Sequence, residues 1–76
     1  MPHVVVKLWP GRSEQQKADL ARDIVAALQK NCGSTEDSIS VAIEEVASAE
    51  WMQQVYKPEI APAMDRLYKK PGYGPS

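Results

Sequence analysis

Two short apolar strands, separated by one helix-length segment, most restrict the folds open to this chain. Residues 3–9, HVVVKLW, are rich in β-branched and aromatic side chains and end at the PG turn of residues 10–11. A second alternating run, SISVAIEEV, covers residues 38–46. One intervening helix and short connections predict an α/β fold built on a βαβ unit, with parallel strands and a right-handed crossover.

The segment between the strands has the pattern of an amphipathic helix. Ser13 and Gln16 have the spacing of a capping box, and Gly33 is suited to end the helix. Apolar residues recur at helical spacing between these two signals, at Ala18, Leu20, Ala21, Ile24, Ala27 and Leu28. We therefore predict a helix over residues 13–32.

Alternation assigns the side chains around the first strand to two faces. One face carries Pro2, Val4, Val6 and Leu8, and the other carries His3, Val5, Lys7 and Trp9. Because both faces carry apolar groups, we expect the strand to be covered on both sides.

The last third of the chain contains two further sets of apolar residues at helical spacing. These sets are Trp51, Met52, Val55 and Tyr56, then Ile60, Met64, Leu67 and Tyr68. They predict short helices over about residues 49–56 and 59–69, with Pro58 in the first turn of the second helix. Residues 69–76, KKPGYGPS, predict a turn-rich and loosely ordered tail.

The size of the chain predicts association with other copies. A chain of 76 residues is one domain, covering residues 1–76, and a domain this short buries only about 60% of its unfolded surface. Cys32 is the sole cysteine and His3 the sole histidine, so neither a disulfide nor a His/Cys metal site can stabilise it. Two strands and one helix are too few to stand alone. Other copies are expected to complete the sheet.

Several classes of function are disfavoured by the composition. Net charge is −1 with both signs interleaved, which argues against a nucleic-acid partner. No apolar run approaches the roughly 20 residues that span a bilayer, and there is no signal-peptide pattern, so a cytosolic protein is expected. The four glycines do not form a phosphate-binding loop. Cys32 has no visible catalytic partner and is interpreted as structural.

Pro2 is the one residue in an unusual chemical position. When proline follows the initiator methionine, the methionine is usually removed, which would leave Pro2 as a secondary amine. An α-amino group titrates near 8 in water, and an apolar pocket or a neighbouring cation lowers its pKa further. An amine poised near pH 7 is a good general base and a good nucleophile. Proline is also a stiff start to a strand, so the position alone leaves both interpretations open.

Arg12, at the far end of the first strand, is a candidate cation for the same chemistry. It lies about 30 Å from Pro2 if the intervening chain is extended. The two residues therefore cannot share a site within one chain, although they can across an oligomer interface. A solvated turn residue is the alternative interpretation of Arg12.

The N-terminal segment MPHVVVKLWPGRSEQQKADLARDIVAAL resembles the start of the 4-oxalocrotonate tautomerase family. The resemblance lies in the terminal proline, the strand and a GRS-x-x-QK turn into the helix, and it continues through SISVAIEEV. The later segment EIAPAMDRLYKKPGY is similar to the dimeric, phenylenolpyruvate-type bacterial members. This similarity extends over nearly the whole chain.

The resemblance implies a cofactor-free tautomerase that interconverts enol and keto forms of 2-oxo acids such as aryl pyruvates. In that family the proline is the catalytic base, which here is Pro2. A binding arginine falls on Arg12, and an apolar aromatic wall that keeps the pKa of the proline low falls on Trp51. The resemblance also implies a homodimer with a joined four-stranded sheet.

One position departs from the family pattern. The second binding arginine of the hexameric members falls on Ser40, and a serine cannot form a bidentate pair with a carboxylate. Lys69 and Lys70 are candidate replacements, and Lys69 is favoured. The alternative is a solvated pair of lysines at a helix end.

Two other functions stay open at this point. The same proline could hydrate or dehalogenate unsaturated or halogenated acids, with Glu44 or Glu45 supplying the extra carboxylate. Glu44 and Glu45 are adjacent and point to opposite faces of a strand, which does not make a carboxylate pair. The chain could also be a noncatalytic small dimer whose terminus is only structural.

Overall fold

The computed structural model describes residues 1–75 and contains the predicted βαβ unit. Strand β1 covers His3–Leu8, helix α1 covers Glu14–Cys32 and strand β2 covers Ser40–Glu45. The strands pair in parallel, in a register that runs from His3 opposite Ser40 to Leu8 opposite Glu45. Ser76, the last residue of the predicted tail, lies outside the described residues.

Helix α1 begins and ends at the predicted capping residues. The Oγ of Ser13 accepts a hydrogen bond from the N–H of Gln16 at 3.1 Å, and the Oε1 of Gln16 accepts one from the N–H of Ser13 at 2.8 Å. Gly33 ends the helix at φ 64°, a left-handed conformation that glycine adopts without steric cost. Because Ser13 is the cap, the first helical residue is Glu14 rather than Ser13.

The region predicted to form two short helices after β2 is helical, but its boundaries and its types of turn differ from the prediction. The chain instead forms a tight 3₁₀ turn at Ser48–Glu50, a wide π-helix at Met52–Ile60 and a further 3₁₀ stretch at Ala61–Arg66, with no helix over residues 67–69. Pro58 lies inside the π-helix rather than at the start of a second helix. Proline has no N–H, and in an α-helix its ring would clash with the carbonyl four residues earlier, so wider turns suit this position.

Other parts of the chain lie on both faces of the sheet, but the face opposite α1 is covered only in part, since Val5 there is 43% exposed. Helix α1 lies against one face, where Lys17 forms an ion pair with Glu45 at 3.3 Å. Residues 48–66, which we name the C-terminal segment, lie against the other face. There Lys7 of β1 forms an ion pair with Glu59. The tail, residues 67–75, then returns toward Trp51.

Few side chains are buried in a single chain. Among residues 1–75 only Val55 and Tyr56 are buried hydrophobic residues, with exposed fractions of 5% and 7%. Helix α1 has no buried residue, and Trp9 remains 56% exposed. One copy therefore leaves several large apolar side chains open to water, Val5 and Trp9 among them. Within the described residues no helix is long and apolar enough to cross a membrane.

Candidate functional site

Pro2 lies at the amino end of β1, where two hydrogen bonds fix the backbone around it. The carbonyl of Pro2 accepts a hydrogen bond from the N–H of Ser40 at 3.2 Å. The next residue, His3, has its Nδ1 2.6 Å from the Oγ of Ser40. Pro2 itself is half-buried, whereas Met1 is fully exposed. The amino end of the chain is thus attached to β2 rather than free in solution.

Arg12 lies at the opposite end of β1. The strand ends at Leu8, and Gly11 turns the chain with a φ of 126°, a value that favours glycine. Arg12 is exposed and contributes to a shallow cavity of about 170 Å³, which is also lined by Leu8, Gln16, Lys17 and Leu20. Because the length of β1 separates them, one chain does not bring Pro2 and Arg12 together.

Trp51 separates two cavities beside the C-terminal segment. The first, of about 500 Å³, lies over the sheet and is also lined by Val5, Lys7, Glu44, Val55, Glu59 and Ile60. The second, of about 520 Å³, is lined by Trp9, Ser48, Trp51, Met52 and Tyr73. The indole Nε1–H of Trp51 donates a hydrogen bond to the hydroxyl of Tyr73 at 2.8 Å. Trp51 therefore lines both cavities with its polar edge satisfied, but Pro2 is not among the residues that line either one.

Three charged side chains, Lys7, Glu44 and Glu59, line the cavity over the sheet. The ammonium group of Lys7 forms an ion pair with Glu59, and Glu44 is the neighbour of Lys7 across the parallel strands. The hydrogen bond with Glu59 raises the pKa of Lys7, partial burial opposes this, and the charges of Glu59 and Glu44 add to the increase. Lys7 is therefore a cation at neutral pH, with its charge already paired inside the protein.

Lys69 lies in the tail, beyond the end of the C-terminal segment. It contributes to a cavity of about 460 Å³, together with Ile60, Leu67, Pro71, Gly72 and Tyr73. Its Nζ donates to the carbonyl of Lys70 at 2.8 Å. Since helical structure ends at Arg66, the interpretation of this lysine as a helix-end residue does not hold. The partner of this ammonium group is thus a neutral carbonyl and not a carboxylate.

Sequence reasoning missed Tyr73, which connects the regions around Trp51 and Lys69. Its ring packs against Tyr56, with ring centroids 5.8 Å apart and an angle of 47° between the planes. Tyr73 lines the cavity of Trp9 and Trp51 as well as the cavity of Lys69. The available signal was a single aromatic residue within a Gly/Pro-rich tail, which predicted loose order instead of an anchor.

Comparisons with known proteins agree with this architecture. The profile of the family described as "Tautomerase enzyme" matches residues 2–58. A protein named Tautomerase PptA from Pectobacterium carotovorum subsp. carotovorum (strain PC1) is 47% identical over 96% of this chain and 97% of its own length. A protein named "Probable tautomerase" from Xylella fastidiosa (strain 9a5c) is 46% identical over 97% of this chain and 90% of its own length.

Solved structures support the same assignment for the fold. The crystal structure of TomN, described as a 4-oxalocrotonate tautomerase homologue in the tomaymycin biosynthetic pathway, superposes with a TM-score of 0.64 at 32% identity. The superposition covers 66% of this chain and 77% of TomN. The two bacterial relatives named above align with nearly all of this chain. The chain therefore belongs to the tautomerase enzyme family, as a member of the 4-oxalocrotonate tautomerase group, and is an isomerase.

Proposed function

We propose that this enzyme interconverts enol and keto forms of 2-oxo acids, aryl pyruvates among them, with the amine of Pro2 as the general base and no cofactor. The observation that carries the proposal is the attachment of Pro2 to β2 through the 3.2 Å hydrogen bond from Ser40. Most chain termini are mobile, and a base must be held within hydrogen-bond reach of the proton that it removes.

The proposed reaction needs only one proton carrier. The neutral amine of Pro2 takes the proton from the enol hydroxyl, and the O–H electron pair becomes the second bond of the ketone carbonyl. The electrons of the C=C bond then take the proton back from the ammonium form at the adjacent carbon. The amine is regenerated, and no oxidant or reductant is required.

The amine exists only after Met1 is removed. While Met1 is present, the nitrogen of Pro2 belongs to a tertiary amide and has no basic lone pair. Met1 is fully exposed and so accessible to an aminopeptidase. Removal of Met1 is therefore part of the proposal.

The substrate carboxylate is proposed to bind cations that reach the site from a second copy. Arg12 lies a strand length from Pro2 of its own chain, and the single chain buries few residues. A homodimer with a joined four-stranded sheet would bring Pro2 of one copy toward Arg12 of the other. Trp51 would supply the apolar wall and Lys69 the charge absent at Ser40, since its ammonium group has only a carbonyl partner.

The hydratase and dehalogenase alternatives receive less support. They need a free carboxylate beside Pro2 to activate water. Glu44 lies opposite Lys7 and Glu45 opposite Leu8, toward the far end of β1 from Pro2. Glu45 also forms an ion pair with Lys17 on the α1 side of the sheet. Glu44 also faces the ammonium group of Lys7, so each carboxylate already has a lysine beside it instead of being free to activate water.

Substitution of Pro2 by alanine tests the proposal. Pro2→Ala leaves a primary amine of different basicity and geometry, so we expect kcat/KM for ketonisation of phenylenolpyruvate to fall by about 100-fold or more, as on loss of a general base. Pro10→Ala, in the turn after β1, is the matched control and should retain wild-type turnover. Intact mass of each protein establishes whether Met1 is absent. Parental activity in Pro2→Ala would overturn the proposal.

A further inference from the structure

We propose that Tyr73 is a positioning residue: its hydroxyl holds the Trp51 indole as the wall of the apolar cavity and so sets the affinity for the ring-bearing end of the substrate. The inference rests on the proposed function for its substrate. The role of Tyr73 in holding Trp51 is argued only from contacts within this chain.

The first observation is the hydrogen bond between the two side chains. The Nε1–H of Trp51 donates to the hydroxyl of Tyr73 at 2.8 Å, which is good geometry for such a bond. An indole has one donor and no acceptor, so this bond satisfies its whole polar capacity. Without a partner, the Nε1–H would favour a ring orientation that reaches water.

The second observation is that Tyr73 is itself held in place. Its ring lies against Tyr56, one of the two buried residues, at a centroid distance of 5.8 Å. The next residue, Gly74, approaches the Tyr56 hydroxyl so closely that an added Cβ would lie 3.2 Å from it. The tail is therefore docked through Tyr73 and Gly74 onto Tyr56, and this contact directs the hydroxyl of Tyr73 toward Trp51 although Tyr73 is 49% exposed.

The third observation is that Trp51 and Tyr73 each line two cavities and share one of them. Tyr73 and Trp51 together line the cavity of about 520 Å³, whose other walls are Trp9, Ser48 and Met52. Tyr73 also lines the cavity that contains Lys69. Loss of its hydroxyl would loosen the apolar wall while leaving the amine of Pro2 untouched. The kinetic signature is a raised KM with little change in kcat.

The test compares Tyr73→Phe with Tyr68→Phe. Both substitutions remove one phenolic hydroxyl and keep the ring, but Tyr68 is fully exposed. The chain has two tryptophans, so the ¹H–¹⁵N spectrum contains two indole signals. We expect Tyr73→Phe to shift the Trp51 signal and speed its hydrogen exchange, with a smaller change at Trp9. Tyr68→Phe should leave both signals in place.

Kinetics with phenylenolpyruvate complete the test. Loss of one hydrogen bond predicts that Tyr73→Phe raises KM by between about twofold and tenfold, with kcat within about twofold of the parent. An unchanged Trp51 signal, or an unchanged KM, would overturn the inference. The NMR readout does not depend on turnover. Failure of the proposed function would instead be seen as activity that survives Pro2→Ala.

Discussion

The ion pair between Lys7 and Glu59 joins β1 to the C-terminal segment. The side chain of Lys7 is 28% exposed and that of Glu59 is 48% exposed, so solvent weakens this ion pair, and exposed pairs contribute little stability at neutral pH. The pair nevertheless crosses 52 positions of sequence and acts on the one face of the sheet that α1 does not cover. Its contribution to stability is best detected through its dependence on pH.

The raised pKa of Lys7 predicts the sign of that dependence. The folded state favours protonated Lys7, so the stabilisation is complete below the ordinary pKa of 10.5 and is lost as pH rises through the raised value. Glu59→Gln removes the main cause of the increase. We expect the difference in unfolding free energy between the parent and Glu59→Gln to shrink above about pH 10.5, as measured by urea denaturation from pH 7 to 11.5.

A matched control separates this pair from a general effect of charge. Glu36→Gln removes one negative charge from a residue outside the ion pairs found in residues 1–75, and its difference from the parent should stay constant with pH. A difference for Glu59→Gln that is equally constant would contradict the assignment of the pKa increase to Glu59.

Local sequence signals predicted the strands and the helix of the βαβ unit. The types of helical turn in the C-terminal segment depend on backbone effects, which hydrophobic spacing does not reveal. Ser13, Gln16 and Gly33 place the ends of α1 because each satisfies helix-end groups locally. Pro58 instead acts against the α-helical pattern of its neighbours, and the chain responds with wider turns. A hydrophobic period near 3.6 residues fits α-helical and π-helical turns almost equally over so short a span.

In the tail, the composition predicted irregular structure but not the attachment through Tyr73. The glycines and prolines of the tail indicate a lack of regular structure, and residues 67–75 indeed contain no helix or strand. Irregular structure does not mean loose attachment, because Tyr73 alone supplies a ring contact with Tyr56 and a hydrogen bond to Trp51. Pro2 and Arg12 were candidates from their chemistry, Trp51 came from family resemblance, and Lys69 was inferred as a cation to replace the arginine absent at Ser40. One chain leaves these four residues in separate places.

The proposed site needs residues from two copies of the chain. Val55 and Tyr56 are the only buried hydrophobic residues described, so a single copy has little core to offset the entropy of folding. A dimer interface would bury apolar surface that one chain leaves exposed. It would also place Pro2 and Arg12 of different copies in one pocket, which can be tested directly.

Mixing two inactive variants tests whether the pocket is shared. Pro2→Ala lacks the proposed base, and Arg12→Gln lacks a proposed binding cation, so each homodimer should have low kcat/KM. A mixed dimer contains one site with both changes and one intact site. After co-refolding at equal amounts, we expect about a quarter of parental kcat/KM, since half of the dimers are mixed and each has one intact site.

The two possible pocket arrangements give opposite results in this experiment. If Pro2 and Arg12 acted within the same chain, every site in the mixed dimer would carry one of the two changes. Activity would then stay at the average of the two variants. Refolding each variant alone, at the same total concentration, supplies the baseline.

Titration of the Pro2 nitrogen shows most directly whether Pro2 provides a tuned amine. Protein labelled with ¹⁵N-proline and shown by mass to lack Met1 gives a Pro2 amine signal that can be followed from pH 4 to 10. We predict a pKa well below the value near 8 of an ordinary α-amino group, because an apolar wall and cations in the proposed dimer pocket would disfavour its charged form. A pKa at or above about 8 would contradict the account.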